Sequence, residues 1–179
     1  MGAILDRIDA DLSSWISAQR VFFVATAPLA ADGHVNCSPR GIDSLRVLDD
    51  RRLAWLDLTG SGVETISHLR DNGRITLMWC AFDGPPRIVR VHGHGVAHLP
   101  ESAEFVALAP RFPTLPGTRA IIEIAAERIS TSCGWGVPLF DYVGERTTLI
   151  DSAIKKGEDG LADYRRRKNR VSLDGLPGL

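Results

Sequence analysis

Cysteine is scarce in this sequence, and the few that are present form no recognisable pattern. The chain has three cysteines, Cys37, Cys80 and Cys133, which are widely spaced and include no Cys-x-x-Cys pair. An odd number without paired spacing indicates neither a disulfide framework nor a structural zinc site. Cys37 and Cys133 have no activating partner nearby in the sequence, so thiol catalysis is not indicated. We therefore expect reduced thiols in a cytoplasmic protein.

A surplus of basic charge and a long apolar run are also missing. The formal net charge is −1 at pH 7, whereas general nucleic-acid and membrane-surface binders carry a basic surplus. No apolar run approaches the ~18 residues that a membrane-spanning helix needs. Asp6, Asp9 and Asp11 interrupt the place where the apolar part of a signal peptide would lie. We expect a chain without a secretory leader that binds neither nucleic acid nor membranes.

The length of 179 residues, of which 44% are apolar, suits one globular domain, since two domains would each have a thin core. Seven segments are strand candidates, residues 21–26, 34–38, 44–47, 52–58, 75–80, 87–98 and 119–129, and we expect about six of them to form the sheet. The first four follow one another without a helix, which disfavours a parallel doubly wound sheet. The pattern predicts a mainly β (α+β) fold, an antiparallel barrel over about residues 20–130 with peripheral helices.

Helical periodicity occurs in four places. The spacing predicts helices over residues 4–19, 63–71 and 101–108, and a helical tail within about residues 145–179 that Gly157 and Gly160 interrupt. Ser61 and Glu64 have the spacing of a capping box at the start of the second helix. Residues 174–179, rich in glycine and proline, are expected to be irregular.

A glycine-rich segment between a strand and a helix is the first candidate for chemistry. Residues 59–62 read Thr-Gly-Ser-Gly and lead into the helix that begins near residue 63. Free N–H groups at a helix N-terminus favour an anion such as a phosphate, and the hydroxyls of Thr59, Ser61 and Thr65 are further donors. The alternative is a glycine-rich turn with a capping serine. The segment is neither a Walker loop nor a dinucleotide fingerprint.

Arginines near strand ends are the second candidate. Arg40 lies between Pro39 and Gly41 at the end of a predicted strand, where it could reach a phosphate in a forked contact. The alternative is a surface arginine in a turn. Arg87 and Arg90 should point to opposite faces of the long strand, so at most one faces a shared site.

Histidines and a basic run complete the candidates. His92, His94 and His98 share one face of a predicted strand, and two imidazoles at i and i+2 could ligate a metal. No acidic or cysteine residue adjoins them in sequence, so structural or interface roles are favoured and no metal is expected. Residues 165–168 indicate a solvated helix face, or an anion contact across a dimer. No Gly-x-Ser-x-Gly elbow supports a catalytic serine.

The order of the motifs resembles that of the pyridoxamine 5′-phosphate oxidase-like flavoproteins, and most of all a bacterial branch whose chains end in Asp-Gly-Leu-Pro-Gly-Leu. The motifs are Phe-Val-Ala-Thr, Gly-His-Val-Asn-x-Ser-Pro-Arg-Gly, Leu-Asp-Leu-Thr-Gly-Ser-Gly-x-Glu-Thr, Asn-Gly-Arg-Ile-Thr-Leu-Met and Pro-Pro-Arg-Ile-x-Arg-Val-x-Gly. The resemblance implies a split β-barrel homodimer that holds two FMN molecules at its interface and acts on a small molecule.

The resemblance also implies which residues bind the cofactor. Arg40 matches a basic residue on the FMN phosphate, and residues 57–59 match the strand end against the isoalloxazine and ribityl groups. The implied cofactor-binding set is Asn36, Ser38, Arg40, Asp57, Leu58, Thr59, Ser61, Glu64, Thr65 and Arg90. No catalytic acid or base is implied.

Two departures from the oxidases bear on function. Glu64 and Thr65 stand where the oxidases place an Arg-Lys pair on the phosphate, and Ile88 replaces a polar residue near the flavin. The oxidases' substrate-binding segment has no match here, so oxidation of pyridoxamine phosphate is not inferred. Three hypotheses follow: an FMN-dependent oxidoreductase, a related barrel that binds F420 or haem (with His92 or His94 as haem ligand), and a non-catalytic flavin store, sensor or interaction module.

Overall fold

The computed structural model describes residues 2–179, in which eight strands and four α-helices form. The strands are β1 (Ala3–Leu5), β2 (Phe22–Thr26), β3 (Asn36–Arg40), β4 (Leu45–Val47), β5 (Arg52–Leu58), β6 (Arg74–Cys80), β7 (Ile88–His98) and β8 (Thr118–Ser132). The helices are α1 (Ala10–Ala18), α2 (Glu64–Asn72), α3 (Ala103–Leu108) and α4 (Thr148–Lys168), with a 3₁₀ turn at Ala109–Arg111.

The strands form one antiparallel sheet that curls into a half-barrel. Its order is β3-β2-β6-β7-β8-β5-β4, and β1 pairs with β8 beside this path. The predicted mainly β fold with peripheral helices is thus confirmed, although the sheet has eight strands rather than six. β3 lies at one edge of the sheet and contains Pro39, a residue that sheets accept at edges because it has no N–H for a ladder.

Two apolar clusters pack on the two sides of β5, which explains why six of its seven residues are buried. The larger cluster lies inside the barrel, where Phe22, Trp55 and Trp79 pack ring against ring and Ile16 of α1 closes one side. The smaller cluster lies outside, where Leu56 and the other buried side chains pack beneath the α3 region. β5 therefore lacks the simple alternation of a half-exposed strand.

The N-terminal part differs from the prediction of one helix over residues 4–19. Residues 3–5 form β1, which pairs with β8 at Leu5 and Ile129, and α1 begins only after Asp9. The Asp9 carboxylate accepts a hydrogen bond from the Leu12 N–H at 2.8 Å and so caps the helix. β5 pairs with β8 only as far as Ala125, so β1 satisfies backbone groups of β8 that would otherwise form a free edge.

The start of α2 also differs from prediction. Its N-cap is Val63, which makes no side-chain capping bond, so the expected cap by Ser61 is wrong. The helical tail is present as α4, in which Gly157 has φ 61° and breaks the helix as expected. The segment after it is less irregular than predicted, because Val171 and Pro177 form a β-bridge. No helix within residues 2–179 has the length and apolar character needed to cross a membrane.

Candidate anion pocket

A small polar cavity lies between the end of β3, the loop 60–62 and the first turn of α2. We call it the anion pocket. Its volume is about 230 Å³. The residues that line it are Asn36, Ser38, Arg40, Gly60, Ser61, Gly62, Glu64, Thr65 and Arg119. Six residues of the set that the sequence predicts therefore lie around one cavity, together with Arg119, which the sequence did not indicate.

β3 supplies one wall of the pocket by alternation. Asn36, Ser38 and Arg40 are half-buried, whereas Cys37 between them is exposed. The Ser38 hydroxyl donates to the Asn36 side-chain oxygen at 3.3 Å, and the Asn36 amide donates to the Thr65 hydroxyl at 3.3 Å. These contacts join the strand to the first turn of α2. Arg40 is the last residue of β3 rather than a residue of the following turn.

A buried cluster of charges forms the floor. Asp57 is fully buried, and its Oδ2 accepts a hydrogen bond from the Nε of Arg119 at 2.7 Å. Its Oδ1 lies 3.4 Å from Nη2 of Arg40. The Nε of Arg40 is buried and has no hydrogen-bond partner within the part of the chain that the structure describes. An unpaired buried donor of this kind is costly unless a ligand satisfies it.

Arg119 reaches the pocket because β8 has a bulge at this position. Asp57 pairs with Ala120 but Leu58 pairs with Thr118, so Arg119 is an extra residue on β8. A bulge bends its strand and redirects a side chain, and only 2% of the Arg119 side chain remains exposed. The period of two on which strand prediction depends does not hold at a bulge, which is why Arg119 was missed.

The α2 end of the pocket combines donors with one carboxylate. Because α2 has no side-chain cap, its first N–H groups keep their capacity to bind an anion. Thr65 is buried and Ser61 is exposed at this end. Glu64 folds back over the loop, and a Cβ on Gly62 would collide with its carboxylate. The negative charge of Glu64 thus lies at the pocket, where the helix dipole stabilises it.

Residues at the end of α4 support the pocket from behind. The sequence indicated Arg165 only as part of the basic run 165–168, and it did not indicate Asn169. Asn169 is fully buried and accepts a hydrogen bond from Nη1 of Arg119 at 3.0 Å. Arg165 donates from Nε to the Thr59 hydroxyl at 2.9 Å. Burial lowers the pKa of Arg165, and the charge of Arg119 lowers it further. Arg165 therefore holds the loop rather than lying on a solvated helix face.

Four predicted cofactor residues do not line the cavity. Asp57 acts from behind through Arg40 and Arg119, and Thr59 donates its hydroxyl to the Gly117 carbonyl at 2.8 Å. Leu58 is buried in the smaller apolar cluster. Arg90 lies on β7, and its Nη1 donates to the Ser132 hydroxyl at 3.1 Å.

The three histidines of β7 each have a separate partner. Their ring nitrogens contact the Thr76 hydroxyl (His92, 3.0 Å), the Glu127 carboxylate (His94, 2.7 Å) and the Glu123 carboxylate (His98, 3.0 Å). His92 and His94 line a distinct cleft of about 480 Å³ on the outer face of the sheet. No group of three or more metal-binding side chains occurs among residues 2–179.

Comparison with known proteins adds to this geometry. The sequence model of a family described as "Pyridoxamine 5′-phosphate oxidase" matches residues 8–133. A pyridoxamine 5′-phosphate oxidase family protein of Aspergillus flavus, ustO, is 36% identical over 198 residues, which cover 100% of this chain and 78% of that protein.

Solved structures show a similar fold. HupZ of Group A Streptococcus has a TM-score of 0.53 at 25% identity, over 68% of this chain and 91% of that one. A putative pyridoxamine 5′-phosphate oxidase of Lactobacillus delbrueckii has a TM-score of 0.53 at 19% identity, over 70% and 97%. An FAD binding protein of Mycobacterium smegmatis has a TM-score of 0.52 at 17% identity, over 73% and 97%.

Proposed function

This chain belongs to the pyridoxamine 5′-phosphate oxidase family, and we propose that it is an FMN-binding oxidoreductase acting on a small molecule. One observation carries the proposal: Arg40, the uncapped start of α2 and the hydroxyl of Thr65 meet in one cavity. These are the kinds of donor that bind a phosphate. A structural neighbour described as an FAD binding protein supports the class of cofactor.

The pocket fits the phosphate end of such a cofactor. Its volume of about 230 Å³ is below the ~300–1,000 Å³ that encloses a whole small-molecule ligand. It has room for a phosphate beside the buried Nε of Arg40, which has no partner within residues 2–179. We expect Arg40, Ser61, Thr65 and the α2 N–H groups to hold that phosphate. When bound, the flavin supplies redox chemistry, and the protein orients and tunes it.

The charges around the pocket limit its affinity for a phosphate. Arg40 and Arg119 both contact the carboxylate of Asp57, and Glu64 adds a second carboxylate to the pocket lining, so the fixed charges nearly cancel. A dianionic phosphate then depends on the helix N-terminus and on neutral donors more than on net positive charge. Glu64 and Thr65, which stand where the oxidases place an Arg-Lys pair, add no positive charge to the pocket.

In our proposal, a second copy of the chain covers the part of the cofactor that the pocket does not enclose. The segment 133–147 has no helix or strand, and five large apolar side chains on it are exposed: Trp135, Leu139, Phe140, Tyr142 and Val143. Exposed apolar groups of this density are typical of an interface. We propose a homodimer in which this segment packs on its symmetry mate. Sedimentation should give the mass of two chains, and a single-chain mass at micromolar concentration would contradict the dimer.

Ligand titration tests the cofactor. Purified protein is titrated with FMN, FAD, riboflavin, F420 and haem, and binding is followed by fluorescence and absorbance. We expect FMN to bind more tightly than riboflavin, because only FMN has a terminal phosphate for the pocket. Binding of F420, or a haem Soret band, without flavin binding would refute the FMN assignment. If haem binds, the cleft lined by His92 and His94 is its candidate site.

The variant Arg40→Ala separates the phosphate contact from general flavin binding. Its FMN affinity should fall by about 1.5–3 kcal/mol, roughly 10- to 150-fold, because a charge-assisted hydrogen bond is lost. Riboflavin affinity should not change. Arg128→Ala is the matched control, since this exposed arginine lies on β8 away from the pocket. Unchanged FMN affinity in Arg40→Ala would refute the role of Arg40.

The oxidoreductase part needs its own test. Protein loaded with FMN is mixed anaerobically with a panel of small electron donors, and loss of the flavin absorbance is timed. Bleaching by a donor, followed by recovery with an acceptor, supports turnover. FMN that is bound but never exchanges electrons would identify a flavin store or sensor.

A further inference from the structure

We propose that the 169–179 segment completes the anion pocket, and that Asn169 is the positioning residue through which it acts. The inference rests on the proposed function, because it concerns the same phosphate-binding pocket. It goes beyond that function in assigning a role to a part of the chain outside the barrel and outside the predicted set of cofactor residues.

Every polar contact of the Asn169 side chain goes to the pocket wall. Its Oδ1 accepts from Nη1 of Arg119 at 3.0 Å, and its Nδ2 donates to the carbonyls of Gly60 at 3.0 Å and Ser61 at 3.4 Å. A carboxamide accepts from a guanidinium through its oxygen and donates to two carbonyls through its NH₂ group, all within one planar group. Asn169 is therefore placed to fix both the direction of Arg119 and the path of the loop.

The rest of the segment holds Asn169 in place. The Leu179 N–H donates to the Asn169 carbonyl at 2.7 Å, and the Gly178 N–H donates to the Arg170 carbonyl at 2.8 Å. Gly178 packs so closely that a Cβ there would collide with the Asn169 carbonyl and press on Val63. Val63 is the N-cap of α2. The segment thus contacts the loop at Gly60 and again at its junction with the helix.

A second anchor lies on the other side of the pocket. Both carboxylate oxygens of Asp174 contact His34, one accepting from its backbone N–H at 2.8 Å and one lying 2.6 Å from its Nδ1. His34 lies two residues before Asn36, the first residue of β3 and a residue of the pocket wall. The segment therefore links the two walls, the β3 side and the 60–62 loop, which are far apart in sequence.

The physical consequence concerns preorganisation. Loop 60–62 has no regular structure, and a loop that must be ordered on binding lowers affinity by its ordering entropy. With Asn169 in place, loop 60–62 is already ordered in the folded protein, so phosphate binding does not carry this entropy cost. Loss of the Asn169 contacts should weaken phosphate binding while the flavin ring contacts remain.

The test uses Asn169→Leu and Gly178→Ala in the full chain. Asn169→Leu removes the amide contacts, whereas Gly178→Ala displaces the segment from Asn169 without changing a pocket residue. Two controls match them: Asn72→Leu removes an asparagine that donates to the Ala27 carbonyl at the far end of α2, and Leu173→Ala changes an exposed residue of the same segment. The first readout is the ratio of riboflavin to FMN dissociation constants.

We expect both test variants to lower this ratio about tenfold, the size typical of one misplaced charged donor. Both controls should keep the wild-type ratio, whatever their thermal stability. A general loss of stability would weaken FMN and riboflavin binding alike and leave the ratio unchanged. A wild-type ratio in folded Asn169→Leu and Gly178→Ala would overturn the proposal.

A second readout separates this inference from the flavin assignment. Inorganic phosphate is titrated into ¹⁵N-labelled protein, and the amide signals of residues 60–62 are followed. One outcome is that the wild type binds no flavin, that phosphate shifts these signals, and that Asn169→Leu weakens the shift. That outcome would support the role of the 169–179 segment and refute only the flavin assignment. If phosphate moves no signal of residues 60–62 in the wild type, the inference fails.

Discussion

β8 has two bulges, and the difference between them shows how one strand can serve both a buried site and an open surface. At the first, the extra residue is Arg119, which pairs with Asp57 inside the protein. At the second, His92 pairs with Arg128 but Gly93 pairs with Ala126, so the extra residue is Glu127. Glu127 is exposed, and its carboxylate lies 2.7 Å from Nδ1 of the exposed His94.

The surroundings, rather than the bulge, decide what each charge can do. Arg119 is fixed by Asp57 and Asn169 and lines a pocket to which several elements contribute. The contact between His94 and Glu127 joins two neighbouring strands at the protein surface. The comparison teaches that charged residues build a site when distant segments meet around them. Shared spacing along one strand, as in the histidines of β7, does not suffice.

The largest expected effect comes from breaking the buried ion pair of Asp57 and Arg119. Asp57→Asn should lower the free energy of unfolding by about 3–5 kcal/mol, because it leaves Arg119 buried with an uncompensated charge. Urea denaturation measures the loss. Glu127→Gln at the other bulge should lower it by ~1 kcal/mol at most, since exposed ion pairs contribute little. Equal losses at the two bulges would contradict the comparison.

A second prediction tests whether the fixed charges around the pocket nearly cancel. Glu64→Gln should raise FMN affinity roughly fivefold, because it removes a carboxylate from the pocket lining. Two like unit charges ~4 Å apart repel by ~1 kcal/mol even in water. Riboflavin affinity should stay constant. Titration of FMN and riboflavin into both proteins checks this, and lower FMN affinity in Glu64→Gln would refute it.

The smallest expected effect contrasts two histidines, His68, which is buried in α2, and His34, which is exposed before β3. Burial lowers the pKa of His68, whose Nδ1 contacts the Thr26 hydroxyl at 3.0 Å. The hydrogen bond and charge of Asp174 raise the pKa of His34, and His34 lowers that of Asp174. The ordinary value for histidine is 6.5. NMR titration should place His34 above this value and His68 below it.

The signs of the resulting pH effects are opposite. The His34 contribution is complete below pH 6.5 and is lost as pH rises through the raised pKa of His34. The His68 contribution is complete above pH 6.5 and is lost as pH falls toward its lowered pKa. Asp174→Asn is the diagnostic variant: it should return the pKa of His34 toward 6.5 and leave His68 below it. A His34 pKa that stays raised in Asp174→Asn would contradict the assigned cause.

The sequence predicted most of the sheet, because its strands are short apolar segments between clear turns. It placed a helix over residues 4–19, where apolar spacing alone could not reveal that β8 offers an unpaired edge to residues 3–5. It predicted a Ser61 cap, but the helix begins at Glu64 and Ser61 lies too far ahead of it.

The candidate site was predictable where its residues share a local motif. Asn36, Ser38 and Arg40 alternate on one strand, and Ser61, Glu64 and Thr65 lie in or just after a glycine-rich loop. The residue pattern indicated Arg40, Ser61 and Thr65, and the resemblance added Asn36, Ser38 and Glu64. Arg119 and Asn169 were not predictable in this way. A bulge hides the inward direction of Arg119, and Asn169 is 109 positions from the Gly60 carbonyl that it binds. Contacts of that separation exist only in the folded chain.

Pro39, the fourth of the five residues of β3, has a consequence for how the molecule behaves in a crowded solution. β3 is the sheet edge that carries one wall of the anion pocket. An open edge can recruit a strand from another molecule and start aggregation. A proline offers such a strand one hydrogen-bond donor fewer, and the bulk of its ring hinders close approach. The edge that must stay accessible for a ligand is thereby protected against growth into a larger sheet.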